Sequence, residues 1–299
     1  MEFLDLWDLV LSGVVRGGLY VLMAMGLSLV FGVMNIPNFA HGEFYMIGAY
    51  TAYFTAHYLV PDPFVCLIFA GLTGFAAGAA AEKLTFAPLR KYTKGNWIMN
   101  TFMVTAGITF ILQNVVQATI GVNYHGINQY WGGTVNSLGG IGISVDRLLA
   151  FGLAMLSVLV FWLFLTYTRT GNAIRAVSES ETGARLIGIN INFIHTLTFA
   201  LSCMLVAIAG AVLLPINPAY PAMGLQPLYK SWFVVILVGL GNTSATLAGG
   251  LIVGLIEAFS AYFLGTGWMD VASLSVICLI LIFKPSGIFG SEVRGVWER

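Results

Sequence analysis

Two amides, an imidazole and a carboxylate fall within the stretch from Asn35 to Glu43, and these side chains could contact a polar solute. Pro37 removes a backbone hydrogen-bond donor and disfavours helix at the residue before it, so the stretch predicts a break between two helices. Asn38 can cap the helix that follows, and the charge of Glu43 is favoured near the positive end of that helix. The chemistry that this pattern could support is hydrogen bonding to a polar substrate.

The break interrupts an apolar run from Leu9 to Val60, which is much too long for one membrane crossing. A crossing needs about 20 apolar residues, so the run predicts two membrane helices with the polar stretch between them. Polar groups at membrane depth are tolerated only where they are buried in protein or line a wet cavity. One interpretation is a transport path, and the other is a hairpin turn at the membrane surface. The candidate path residues in the break are Asn35, Pro37, Asn38, His41, Gly42 and Glu43.

The composition is typical of a polytopic membrane protein with small loops. Of the 299 residues, 58% are hydrophobic and 9% are charged, and the mean hydropathy is +0.88. A soluble domain carries about 25% charged residues. The formal net charge is zero, so we expect no nucleic-acid partner. We expect one transmembrane domain over residues 1–299, in contact with membrane lipid.

The apolar segments predict an all-α fold with about 8 to 10 transmembrane helices. Nine segments are candidates, and the seventh and ninth are short enough to leave a full crossing open. The segments run from Leu9 to Met34, Gly42 to Val60, Phe64 to Ala81, Trp97 to Ile120, Leu148 to Tyr167, Ile194 to Leu214, Trp232 to Leu240, Leu247 to Phe263 and Val271 to Phe283.

The basic residues indicate how these helices are oriented, because Lys and Arg concentrate on the cytoplasmic side of a membrane. Ten of the 13 Lys and Arg residues follow the third, fifth and last segments. Nine crossings with an external N-terminus would place all ten inside, and would leave Arg147 and Lys230 in external segments. We therefore expect the N-terminus outside and the C-terminus inside.

A weak internal repeat predicts two inverted halves with interrupted helices. The break after the first span has a counterpart after the sixth, where Asn217 and Pro218 lie, and the third and eighth spans both carry a Gly-x-x-x-Gly pair. Interrupted segments at corresponding places of inverted halves point to a transporter's binding region, so Asn217 and Pro218 join the candidate path. The expected division is halves 9–120 and 194–283, a connecting helix 148–167 and a cytoplasmic coupling loop 168–192.

Arg16 and Glu257 are charged residues inside apolar segments, and such residues usually face a bundle interior or a cavity. Arg16 can either extend to the nearby membrane surface or line the path. Glu257 is deeper and has no evident partner in the sequence. It could act as a structural hydrogen-bonding group or contact substrate, and we include it among the candidate path residues.

The loop from Thr168 to Asn192 predicts two short amphipathic helices on the cytoplasmic side. Gly171 is expected to break the preceding span, an apolar stripe follows, and Gly188 can end the second helix. Helices too short to cross the membrane must lie against the lipid headgroups or against a partner protein. A helix that binds lipid usually carries more bulky apolar and basic residues than these two, which favours a protein partner. The residues expected to contact that partner are Gly171, Ile174, Arg175, Ala176, Arg185 and Gly188.

The sequence predicts no enzyme active site. The glycine-rich stretch from Val238 to Ser244 lacks the Gly-x-x-x-x-Gly-Lys-Ser/Thr pattern of a nucleotide-binding loop. The four histidines are dispersed without the spacing of metal ligands, and the three cysteines lie unpaired in apolar runs. We expect no catalytic, metal or cofactor site in this chain, so that any ATP which drives transport is bound by partner subunits.

Several motifs together resemble the signature of the membrane subunits of bacterial ABC importers for branched-chain amino acids. The resemblance covers essentially the whole chain and is more specific for the family than for the substrate, because related permeases import urea or short amides. The motifs are Gly26–Met34, Asn38–Tyr50, Gly171–Ala176 with Gly188–Asn190, Gly239–Gly241 and Lys284–Gly290.

The resemblance implies a permease subunit in a prokaryotic cytoplasmic (inner) membrane. It implies as partners a second, homologous permease subunit, two ATP-binding cassette ATPases and a periplasmic or lipoprotein substrate-binding protein. The loop from Gly171 to Gly188 would dock in the ATPase, and the stretch from Asn35 to Glu43 would line or gate the path. The run Ser178–Thr182 is more acidic than the family pattern, which leaves the ATPase contact open.

Two other classes of protein fit the composition. An ion-coupled secondary transporter could use Glu43 and Glu257 as an ion or proton site, and a passive channel for a neutral solute such as urea would need a pore in this chain alone. Neither class explains the amphipathic loop, which is why we favour the importer.

Overall fold

The structure is a computed structural model that describes residues 3–92, 97–127, 133–136 and 142–290. Helices account for nearly all of the first half of the described chain. They are α1 (Phe3–Met34), α2 (His41–Tyr58), α3 (Pro63–Ala81), a π-helical turn (Glu82–Phe86), α4 (Ala87–Tyr92) and α5 (Trp97–Thr119).

A small antiparallel hairpin of β1 (Thr134–Asn136) and β2 (Gly142–Ser144) precedes the second half. The remaining helices are α6 (Val145–Tyr167), α7 (Arg169–Glu179), α8 (Glu181–Leu186), α9 (Ile191–Leu213), α10 (Leu225–Val238), α11 (Thr246–Phe263), a 3-10 turn (Thr266–Trp268) and α12 (Met269–Phe283).

All nine predicted apolar segments are helical, which confirms a polytopic all-α membrane protein. Within the described ranges, seven helical stretches are long and apolar enough to cross a membrane: those of α1, α3 continued through α4, α5, α6, α9, α11 and α12. The helix α10 is shorter, at 14 residues, and α2 has 18 residues. These two helices follow the interrupted segments.

Local sequence explains where several helices begin. Asp62 accepts hydrogen bonds from the backbone N–H groups of Phe64 (2.8 Å) and Val65 (3.2 Å), and so caps α3. The predicted cap of α2 by Asn38 is wrong, because the residue at the cap position is Ala40, which makes no side-chain bond to the helix. Asn38 lies too early in the chain to reach the first turn of α2 in that way.

The helices α1 and α9 form the centre of the bundle. In each, 78% of the most apolar window is buried inside the protein, compared with 11% in α5 and in α12. The outer surfaces of α5 and α12 are therefore apolar surfaces that lipid or another subunit must cover.

Small residues allow the closest helix contacts. Gly74 and Gly78 of α3 lie directly against Ala207 and Cys203 of α9. Gly250 and Gly254 of α11 lie in the same way against Gly17 of α1. A Cβ built on any of these α3 glycines would come within 2.6 Å of the facing helix. Backbones that approach this closely exclude larger side chains, which is a common basis of helix packing in membranes.

Candidate functional site

The predicted break after α1 is a non-helical segment that is exposed at its first residue and partly to fully buried beyond it. Asn35 adopts a positive φ of 53°, a conformation that Asn accepts more readily than most residues, and it turns the chain back from the end of α1. Pro37 is half-buried, and Asn38 is fully buried. Both polar atoms of the Asn38 side chain lack a hydrogen-bond partner among the described residues. Orphan buried groups of this kind are rare and mark a position that needs a functional or solvent partner.

The chain folds back along α1 before α2 begins. The His41 ring Nε2 lies 3.1 Å from the carbonyl oxygen of Met23, 11 residues before the end of α1 at Met34. With a rise of 1.5 Å per residue, this contact is about 16 Å from the end of α1. The first turn of α2 therefore lies beside the middle of α1, and the break is not a simple turn joining two helix ends.

Glu43 is buried beside the break. Its carboxylate Oε1 accepts a hydrogen bond of 2.8 Å from the amide of Gln113 on α5, and Oε2 has no partner within the described part of the chain. Glu43 lies in the first turn of α2, as predicted. Gln113 was not among the predicted site residues, because its contact with Glu43 is made across 70 residues of sequence.

The second interrupted segment, residues 214–224, connects α9 to α10. Asn217 and Pro218 are exposed on it, as is expected of residues that face a cavity or solvent. Ala219 exchanges two backbone hydrogen bonds of 2.8 Å with His125. The segment is thus tied to the chain that follows α5, and Asn217 lines the same cavity as the buried Tyr45 of α2.

The two interrupted segments meet at a pair of glycines. A Cβ built on Gly42 would lie 2.2 Å from the carbonyl oxygen of Gly224, and a Cβ on Gly224 would lie 2.2 Å from that of Gly42. The first turns of α2 and α10 therefore touch backbone to backbone. The structure brings together the two breaks that the sequence predicted separately.

A cavity of about 320 Å³ lies beside this crossing. This volume is that of a site for a small organic molecule. Helix α1, the second interrupted segment and the first turns of α10 supply most of its wall. Tyr45 of α2, Arg147 of α6 and Leu213 of α9 complete it. The lining residues are Ser12, Val15, Arg16, Leu19, Tyr20, Met23, Tyr45, Arg147, Leu213, Ile216, Asn217, Gln226, Pro227 and Lys230.

Glu257 is not at the break but behind the cavity wall, where it is fully buried. It accepts hydrogen bonds from the Tyr20 hydroxyl (2.6 Å), from the Ser273 hydroxyl (3.4 Å) and from the Lys230 ammonium. Lys230 also bonds to Asp270. A buried carboxylate is stable only when it is paired and hydrogen-bonded in this way. Glu43 and Glu257 share no hydrogen-bond partner among the described residues.

Lys230 lies within a helix and not in the loop where the sequence predicted it. The predicted apolar segment begins at Trp232, whereas α10 begins at Leu225 and contains Lys230. Polar residues in the first turns of α10 hid the helix from a hydropathy pattern. Arg16 lies 13 residues after the start of α1, and is therefore not at the end of the helix. Its side chain is part of the cavity wall.

The two predicted amphipathic helices are α7 and α8, at the end of the bundle opposite to the cavity. Thr168 accepts a hydrogen bond of 3.0 Å from the N–H of Gly171, and Ser180 accepts one of 3.1 Å from Gly183. The predicted helix break at Gly171 is wrong, because the extended residue is Thr168 and Gly171 lies within α7. A Cβ on Gly171 would lie 2.4 Å from the Phe164 carbonyl oxygen, so its role is close packing against α6.

The predicted contact residues of α7 and α8 lie on two different faces. Gly171 and Ile174 are buried against the bundle, and Ala176 is half-buried. Arg175 and Arg185 are exposed, and Arg185 pairs with Glu181 at 2.8 Å. Gly188 is exposed with a positive φ of 85° and ends the segment. Only the exposed set can touch another protein directly.

No group of three or more His, Cys, Asp or Glu side chains in the described ranges is arranged to hold a metal ion. Cys66, Cys203 and Cys278 are free cysteines in three different helices.

Comparison with known proteins gives consistent matches along the chain. The model of a family described as branched-chain amino acid transport system / permease component matches residues 9–283. The chain is 30% identical to the high-affinity branched-chain amino acid transport system permease protein LivH of Escherichia coli, over 97% of both chains. It is 31% identical to the corresponding protein BraD of Pseudomonas aeruginosa, over 93% of this chain and 94% of that one.

A second permease protein of such a system is also similar. LivM of Escherichia coli is 26% identical over 90% of this chain and 67% of its own length. No solved structure matches the chain significantly.

Proposed function

This chain belongs to the family of branched-chain amino acid transport system permease components, and from that membership we propose that it forms part of the membrane path of an ABC importer. The transported solutes are branched-chain or related hydrophobic amino acids. The protein is a multi-pass membrane protein, and its proposed location is the prokaryotic cytoplasmic membrane. Two ATPase subunits bind and hydrolyse the ATP, so this chain needs no cofactor of its own.

The cavity of about 320 Å³ beside the Gly42–Gly224 crossing is the observation that carries the proposal. It combines apolar walls, which suit an aliphatic side chain, with polar and charged groups that suit a zwitterionic backbone. Its wall includes Asn217 of the second interrupted segment and Tyr45 of the helix that follows the first, and a transporter with inverted halves binds its substrate near such segments. The pairing of α3 with α9 and of α11 with α1 through glycines supports such halves.

The path leads from this cavity past the buried break. Asn38, His41 and Glu43 offer polar atoms there that the described protein does not satisfy. A path must bind its solute weakly enough to release it, so strong selection belongs to a periplasmic or lipoprotein binding protein that delivers the substrate. Asn35, Pro37 and Pro218 shape the backbone of the two segments and are not proposed to bind the substrate.

The exposed face of α7 and α8 is the proposed contact with the ATPase. Arg175, Arg185 and Gly188 lie on that face, while Gly171 and Ile174 fix α7 against α6 and the bundle. Movement of the ATPase pair is then transmitted to the bundle through α7 as a rigid lever. This assignment places α7 and α8 in the cytoplasm and, with nine crossings, the N-terminus outside and the C-terminus inside.

A second permease subunit is the proposed partner in the membrane. The similarity to both LivH and LivM supports a pair of related permease chains. The outward surfaces of α5 and α12 are apolar and can meet both lipid and such a partner. Only 11% of the most apolar stretch of each helix is buried within this chain.

Affinity purification of the tagged protein from its own membranes in mild detergent tests the assembly, with mass spectrometry of the proteins that copurify. We expect two ATPase subunits and a second permease. The complex is then reconstituted in liposomes with its binding protein, and uptake of radiolabelled leucine, urea and acetamide is compared. ATP-dependent uptake of leucine, without uptake of urea or acetamide, supports the proposal. Purification of this chain without partner subunits, under conditions that preserve a known ABC complex, contradicts it.

A further inference from the structure

The cavity wall has an unusual charge balance. Its lining includes three cationic side chains, Arg16, Arg147 and Lys230, and no carboxylate. Glu257, which contacts the lining residues Tyr20 and Lys230, is fully buried behind them and does not line the cavity. A solute in the cavity therefore meets cationic side chains directly, whereas the carboxylate of Glu257 that pairs with two of them lies behind the wall.

Lys230 is already neutralised by protein groups. Its ammonium bonds to Glu257 and to Asp270, and it lies 5.7 Å from the ring centroids of both Tyr20 and Phe233. An ammonium has three donors, and two of them are used in these ion pairs. Lys230 thus completes the wall and holds Glu257, but it has little capacity left for a solute.

Arg16 is different, because its guanidinium has unused donors. Its one described hydrogen bond is from Nη1 to the thioether sulfur of Met269 at 3.3 Å, and sulfur is a weak acceptor. The nearest carboxylate oxygen, on Glu257, is 3.9 Å away, which is beyond hydrogen-bonding distance. The side chain is 32% exposed and lines the cavity. A guanidinium with five donors, one distant ion pair and no hydrogen bond to an oxygen among the described residues is suited to a bidentate carboxylate.

The surroundings of Arg16 fit the rest of an amino acid. Leu19, Leu213 and Ile216 provide apolar surface in the same cavity, and the side-chain oxygens of Asn217 and Gln226 can accept hydrogen bonds from an ammonium group. The cavity therefore offers separate places for a carboxylate, an aliphatic side chain and an ammonium.

We propose that Arg16 binds the α-carboxylate of the transported amino acid, and that Glu257 is a positioning residue that holds Tyr20 and Lys230 in the cavity wall beside Arg16. This inference rests on the proposed function and adds a basis for discrimination within the path. Urea and amides lack a carboxylate, so Arg16 would favour amino acids over them. Selection would then be made by the permease as well as by the binding protein.

The test uses the purified complex without its binding protein, so that the permease alone is probed. Saturation-transfer NMR, which detects weak binding, compares leucine, 4-methylpentanoate and leucinamide. The first two carry a carboxylate, and the third replaces it with an amide. We expect the two carboxylates to bind and leucinamide to bind at least about tenfold more weakly, as for loss of a hydrogen bond to a charged group.

Three variants separate the role of Arg16 from general charge and from folding. Arg16→Gln should remove the preference for carboxylates, and Arg16→Lys should keep part of it because a point charge remains. Lys83→Gln, which removes an exposed positive charge on the π-helical turn, should leave the preference unchanged. Assembly of each variant with its partner subunits is checked first by copurification.

Each result bears on the proposal. Equal binding of leucine and leucinamide by the unaltered complex, or an unchanged preference in assembled Arg16→Gln, overturns it. If the unaltered complex with its binding protein imports no branched-chain amino acid, the proposed function fails instead. Loss of the preference in Arg16→Gln, with retention in Lys83→Gln, supports the assignment to Arg16.

Discussion

Gly42 and Gly224 cross with their backbones in direct contact, and each occupies the space that a side chain on the other would need. A methyl group on either residue would lie 2.2 Å from the other's carbonyl oxygen. The crossing joins the first turns of α2 and α10, which are the helices that follow the two breaks. The two interrupted segments therefore cannot separate or approach without changing this one contact.

Replacing Gly42 or Gly224 by Ala should destabilise the protein and reduce uptake, because the clash is with backbone atoms that have no rotamer to change. Overpacking of this kind costs about 1 to 3 kcal/mol or more. Gly107→Ala and Gly152→Ala are matched controls, because a Cβ at either helical glycine meets no atom within 4 Å. The controls should be neutral or slightly stabilising. Thermal unfolding in detergent and leucine uptake give the comparison, and equal behaviour of the two pairs would refute the role of the crossing.

Glu257→Gln should lower the thermal midpoint by several degrees, because it leaves Lys230 with a weaker partner in a buried site. Breaking a buried ion pair from one side costs about 3 to 5 kcal/mol. The double variant Glu257→Gln/Lys230→Met should recover part of this loss, since it removes both charges. Glu181→Gln is the control, because its pair with Arg185 is exposed and such pairs contribute less than about 1 kcal/mol. A midpoint for Glu257→Gln as high as that of Glu181→Gln would show that the pair is not stabilising.

Arg175→Ala should uncouple ATP hydrolysis from transport, since Arg175 lies on the exposed face of α7 and its loss does not affect packing. We expect uptake to fall at least about tenfold while the complex still hydrolyses ATP. Lys83→Ala removes an exposed charge outside the α7–α8 segment and should change neither quantity. Normal coupling in Arg175→Ala would remove this residue from the ATPase contact.

Ile174→Ala should act on the other face of α7, because Ile174 is 1% exposed and packs against the bundle. Truncation of a buried Ile costs about 2 to 5 kcal/mol. The expected result is less folded protein with a normal ratio of uptake to ATP hydrolysis in the fraction that assembles. A changed ratio without loss of protein would mean that Ile174 contacts the ATPase after all.

Single cysteines should report the orientation in the membrane. In a protein with its own cysteines replaced, Asn123→Cys should react with a membrane-impermeant maleimide on intact cells, and Glu179→Cys should react only after permeabilisation. Both positions are exposed at opposite ends of the bundle. The reverse pattern would show that α7 and α8 face outward, which is incompatible with an ATPase contact there.

Features that depend on neighbouring residues in the sequence were predictable. The nine apolar segments are all helical, and the two breaks at Asn35–Glu43 and around Asn217 are where the helices stop. The hydropathy pattern and the conformational limits of Pro act over a few residues, so they can be read without the fold. The start of α10 was missed because its first turns line a cavity and are polar for that reason.

Features that depend on tertiary contact could not be predicted. Glu257 meets Tyr20 across 237 residues and Lys230 across 27, and neither spacing signals contact. The inward position of Gly171 follows from the angle between α6 and α7, which the sequence of the loop does not specify. The unfilled hydrogen-bond capacity of Arg16 likewise depends on Met269 and Glu257 arriving from two other helices.

The two backbone hydrogen bonds between His125 and Ala219 have a mechanical consequence. They join the chain after α5 to the segment that carries Asn217, so a pull on one must either stretch these bonds or displace the other. A strain applied at the exposed surface near His125 is in this way delivered to the cavity wall about two residues away along the chain, at Asn217. A displacement of the chain at His125 is therefore transmitted to the part of the cavity wall formed by Asn217.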